Sequence, residues 1–154
     1  MLVRWLLAAI HLLAYGFALA SILRRTWALR RATVPAALRS VFRADTGWGI
    51  SALVLIVTGL MRAFGGFEKG ADYYLHEPLF HLKMTLVVVI LILEVPSMLA
   101  LMRWRAAIRK GAAPDLHKAR SYARFSVIQT ILMVVVVLAA TGMARGVGLP
   151  AGAV

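Results

Sequence analysis

Five ionisable side chains sit inside long apolar runs, and they are the first places to look for chemistry. His11 lies in the middle of the run Trp5 to Leu23, and Arg62 lies near the end of a second run. His81, Lys83 and Glu94 lie within Pro78 to Arg105, PLFHLKMTLVVVILILEVPSMLALMRWR. An ionisable group in a membrane-spanning helix is costly, so it faces protein or water and marks a candidate functional site. Imidazole can ligate iron or carry a proton, and a cation can hold an anionic ligand. Lys83 and Glu94 are the candidates for the chemical step, as a charge relay. Eleven residues apart, they share one helix face but stand about 16 Å apart along the axis, too far for a direct ion pair. His81 and Lys83 are two residues apart and point to nearly opposite faces.

These side chains must be positioned by helices that cross a bilayer. The 154-residue chain is 62% apolar and has no cysteine, which excludes a disulfide framework and a cysteine-rich metal site. Its mean hydropathy of +0.82 belongs to an integral membrane protein. Four apolar runs, about 5–23, 46–64, 78–102 and 122–144, are each long enough to span the ~30 Å hydrocarbon core. The expected fold is all-α, a single transmembrane domain over 1–154 built as a four-helix up-down bundle. Gly16 and Ala20 would let another helix approach the first. Ser51, Leu55, Thr58 and Arg62 form a stripe that should face the bundle. Asp45-Thr46 reads as an N-cap, Gly65-Gly66 as a helix end, and Pro78 as a first-turn proline. Residues 24–45 and 103–124 read as basic connectors, broken at Pro35 and at Gly111 to Pro114.

Arg4 and the Ala18-Leu19-Ala20 run could belong to a signal peptide. His11 in mid-run, the length of the run and the arginines that follow favour a retained helix. Thirteen Lys and Arg fall in the two connectors and five on the opposite side. The positive-inside rule then places both connectors in the cytoplasm and both termini outside, in a bacterial inner membrane. This topology accounts for the net charge of +12, so nucleic acid is not expected as a partner.

With that orientation, every helix brings a cation to the outer end: Arg4, Arg62, Lys83 and Arg145. Arg4 and Arg145 can snorkel to headgroups. His11 is expected about two turns below the outer surface, and His81 in the first turn of the third helix. The combination fits haem b, with His11 as axial ligand and His81 opposite it, or His76 as the alternative. Arg62 or Lys83 would pair with the propionates. The His11 face continues through Tyr15 and Ala18, a small residue that leaves room for a flat macrocycle. Glu94 lies deeper, and is expected to be protonated or bonded to a backbone or hydroxyl group, such as Tyr15, Ser51 or Thr130. No HExxH, phosphate loop or nucleophile-base pair is present.

The segments FHLKM with Glu94 and Arg103-Trp104-Arg105, ADTGWGISALVLIVTGLMRAF, and DYYLHEPLFHLKM resemble a bacterial family of four-helix membrane proteins of unknown function. More distantly, His11 and the His81-x-Lys83 pattern resemble the HemJ-type protoporphyrinogen IX oxidases and the CopD-like membrane proteins. That resemblance implies haem b held by His11, with His81 and Lys83 in the second motif. The leading expectation is therefore a haem-dependent membrane oxidoreductase with a membrane electron-transfer partner. An accessory subunit of a larger complex, or of a homo-oligomer, and a small-solute or metal transporter are the alternatives.

Overall fold

A computed structural model describes residues 1–65, 77–145 and 147. Four long helices make up almost all of this: α1, Leu2–Arg30; α2, Leu38–Phe64; α3, Pro78–Arg109; and α4, Ala119–Ala144. A 3₁₀ turn over Pro35–Ala37 precedes α2. Each helix is long and apolar enough to cross a membrane.

The helices overrun the apolar stretches that announce them. The 29 residues of α1 span about 44 Å, well beyond the ~30 Å hydrocarbon core. The overrun falls on the basic segments. Residues 24–30 and 38–45 are helical rather than connector, and so are 103–109 and 119–124. The true connectors are short. One is turned by Pro35 at the first 3₁₀ position, and the other by Gly111, whose φ of +72° only glycine takes readily. Asp45 is therefore not an N-cap but lies two turns inside α2. Gly65 ends α2, and Pro78 opens α3 behind Glu77, whose side chain accepts from the Leu79 N–H.

Antiparallel hairpins α1/α2 and α3/α4 lie side by side, joined along α1 and α4. The backbones of α2 and α3 are not closely packed. Packing is densest at the connector end, where Leu29, Leu38, Val41, Leu101 and Trp104 are buried together. A middle cluster holds Ala18, Ile22, Trp48, Ile90 and Met133. At the terminal end, among the described residues, the buried cluster shrinks to Ala63 and Phe80. Much of the outer surface is large and apolar, as lipid contact requires.

The small residues that bring α1 against α2 differ from the expected pair. Gly16 and Ala20 are exposed. The close approach is made by Gly47, where an added Cβ would stand 2.8 Å from Ser21 Oγ and 3.4 Å from Phe17 Cε1. Gly49, two residues on, has open space. Gly47→Leu should therefore cost about 1–3 kcal/mol through overpacking, while Gly49→Leu should stay near wild type. Thermal melts of the two purified variants in detergent check this; equal melts would overturn the assignment of Gly47 as the contact point.

Candidate functional site

The α1 face that starts at Leu7 and runs through His11, Tyr15, Ala18 and Ile22 reaches Arg25 one step later. Arg25 is completely buried, although it follows the apolar run of α1. Its guanidinium carries five N–H donors, and each has an acceptor. Nη1 and Nη2 grip Glu94 of α3 at 2.6 and 2.8 Å. Nη1 also reaches Asp45 of α2 at 3.2 Å, Nη2 reaches Gln129 Oε1 of α4 at 3.0 Å, and Nε reaches Ser126 Oγ of α4 at 3.1 Å. One side chain thus ties α1 to the other three helices. Trp48 offers its ring to the same cation, 5.8 Å from centroid to Cζ.

The partners are themselves satisfied. Gln129 Nε2 donates to Glu94 Oε2 at 2.9 Å and to the Ile90 carbonyl at 3.0 Å. The Ser126 hydroxyl donates to the Tyr122 carbonyl. Asp45 accepts from Arg105 of α3 through its second oxygen at 2.9 Å. Two cations and two carboxylates therefore alternate as Arg105, Asp45, Arg25, Glu94, with no net charge. Burial of Arg25 without them would be prohibitive, so the acids are present as its counter-ions.

This overturns the expectation for Glu94. Its partner is not Tyr15, Ser51 or Thr130. Those hydroxyls donate to backbone carbonyls of Met133, Gly47 and Ser126 respectively. The carboxylate instead receives a bidentate guanidinium, so its partner is a cation from another helix. Lys83, expected to share in its chemistry, lies three helical turns away with its ammonium 5.3 Å from the centre of the Phe80 ring.

The second group of residues lies toward the terminal end. His11 Nδ1 is 2.7 Å from Thr58 Oγ1 of α2. Thr58 has a single hydroxyl proton and directs it to the Val54 carbonyl at 2.6 Å. With that proton committed, Thr58 Oγ1 accepts and His11 Nδ1 donates. Gly59 makes room for this ring, since a Cβ there would touch only His11 Cε1, at 3.4 Å. Tyr15, one turn below, ties α1 to α4 by donating to the Met133 carbonyl at 2.7 Å.

Other expected members of this group are placed differently. Arg62 and Lys83 are half-buried, whereas His81 is exposed beside Phe80. Ala18 does not border open space for a macrocycle: it is fully buried among Ile22, Trp48, Ile90 and Met133. His76 lies outside the described residues. No cluster of three or more metal-ligating His, Asp or Glu occurs among the described residues.

Breaking the Arg25 cluster from one side should be worse than removing the pair. Arg25→Met leaves two carboxylates without their cation, an effect of about 3–5 kcal/mol for a buried pair. Glu94→Gln should also destabilise, because a charge is lost and not only a hydrogen bond. Combining Arg25→Met with Glu94→Leu should recover part of the loss. A double-mutant cycle on thermal stability checks this; strictly additive losses would show that the two side chains do not act as a pair.

Comparison with known proteins agrees with a membrane protein. Residues 3–148 match a family described as "Predicted membrane protein (DUF2214)". No curated protein and no solved structure matches the chain. A match over almost the full length makes the chain a member of that family of membrane proteins, whose function is not known.

Proposed function

We propose that the chain is a multi-pass protein of the bacterial cytoplasmic membrane that binds haem b in the terminal half of its bundle and has a redox role. The observation that carries this reading is the His11–Thr58 hydrogen bond of 2.7 Å. A metal-ligating histidine ordinarily donates its other ring N–H to an oxygen acceptor, which fixes the tautomer and the ring plane. Thr58 supplies that acceptor, and the donor set of His11 therefore fits the group. The half-buried Arg62 and Lys83 supply cations at this end that would pair with propionates. The resemblance of His11 and His81-x-Lys83 to the HemJ-type and CopD-like proteins points the same way.

In this reading His11 would hold the iron, with Thr58 orienting the imidazole, and Arg62 and Lys83 would balance the propionate charge. Tyr15 keeps α1 seated on α4 beneath the site. Bound haem would supply one-electron transfer. Ala18, being packed, takes no part, and the exposed His81 is the weaker candidate for a second ligand. The basic connectors lie in the cytoplasm and both termini outside, following the excess of Lys and Arg at the connector end.

A second reading rests on the Arg25 cluster. Intramembrane acids and bases also mark ion and proton pathways. Arg25 is shared between Glu94 of one hairpin and Asp45 of the other. Loss of charge on Glu94 would leave the guanidinium with Asp45 and loosen α3 from α1. A carrier for protons or small solutes could use that exchange.

Optical spectra separate the two readings. The protein expressed with ample haem should show a Soret band that shifts on dithionite reduction. His11→Ala should abolish the band with insertion intact, and Thr58→Val should weaken haem retention by roughly 10–100-fold. A colourless wild type would overturn the haem reading. A cysteine at Lys110 should resist an impermeant maleimide on intact cells, whereas one at Lys69 should react; the reverse labelling would overturn the orientation.

A further inference from the structure

Between α2 and α3, at the connector end, runs an open groove of about 540 Å³ lined by Phe42, Met102, Arg105, Ile108 and Arg109. We propose that it is a binding site for one anionic phospholipid, with its phosphate held by Arg105 and Arg109, its glycerol region against Phe42 and Ile108, and an acyl chain laid over Met102. Three observations carry this. The groove pairs two guanidinium groups with three apolar side chains, the complement of a charged headgroup above hydrocarbon. Among the described residues, Arg105 uses Nη2 alone, toward Asp45, Thr46 and the Phe42 carbonyl. Nε and Nη1 make no hydrogen bond among the described residues, and the side chain is 41% exposed. The cation is also held in place, by Asp45 at 2.9 Å and by the Phe42 ring 4.9 Å from its Cζ. A fixed guanidinium with unused donors is preorganised for phosphate.

Position along the helix agrees with this occupant. Arg105 and Arg109 follow the apolar stretch of α3 by one and two turns, which sets them at headgroup level. Met102, on the bilayer side of Arg105, is exposed, so lipid is the solvent it meets. The backbones of α2 and α3 do not pack closely, and a bound lipid would bridge them where side chains alone now do. The site is separate from the His11 region and stands whether or not haem is bound.

The test is a thermal melt of the delipidated protein titrated with phosphatidylglycerol, phosphatidylcholine or inorganic phosphate. Phosphatidylglycerol should raise Tm by about 5–10 °C at a hundred-fold excess over Kd. Phosphatidylcholine and phosphate alone should not. Arg109→Gln, which touches nothing in the buried cluster, should at least halve the shift, and Met102→Trp, which fills the groove, should do the same by sterics. Native mass spectrometry should show one retained phosphatidylglycerol on wild type and less on both variants. Equal shifts with the two lipids, a matching shift with phosphate, or variants that respond like wild type would overturn the proposal.

Discussion

A single desolvated guanidinium sets the terms for the connector half of this protein. Arg25 has no exposure, and charge removed from water must be repaid at every donor. Five hydrogen bonds from three other helices do so. Each acceptor then has to arrive at the right height on its own helix. The rotation and vertical register of α2, α3 and α4 against α1 are constrained together by one side chain. Apolar packing alone would not do this in a bilayer, where lipid is as good an apolar partner as another helix.

The cluster also explains why the helices run past their apolar cores. Arg25 and Asp45 lie at the junction of apolar and basic sequence, where an unpaired charge would be drawn to the headgroups. By pairing across helices they extend a structured core toward the membrane surface. Leu29, Leu38, Leu101 and Trp104 then pack beyond them. Arg105 completes the series, balancing the second oxygen of Asp45 while remaining partly accessible. An ordered, charge-neutral network thus passes gradually into a basic surface.

The terminal half is built on different terms. Among the described residues it holds hydrogen bonds from His11 to Thr58 and from Tyr15 to the Met133 carbonyl, and a small apolar cluster around Phe80. The connector half is thus organised by a charged network, and the terminal half holds an imidazole oriented on a hydroxyl.

The sequence by itself determined the four spans, because twenty or so apolar residues have few other ways to satisfy their backbone than a transmembrane helix. It also determined the helix signals at Gly65 and Pro78, which depend only on local backbone chemistry. The polar stripe of α2 was legible from its 3.6-residue period, and Ser51 and Thr58 are indeed buried. The face from Leu7 to Ile22 even leads to Arg25, but a basic residue after an apolar run reads by default as a connector. Burial of that residue is decided by distant acceptors: Glu94 and Asp45 are 69 and 20 positions away, and Ser126 and Gln129 more than 100. Tertiary structure alone converted Asp45 from a cap to a counter-ion, Glu94 from a lone acid to half of an ion pair, and Ala18 from open space to packed core. Sequence fixes which groups need partners; only the folded bundle decides which partners come within 3 Å.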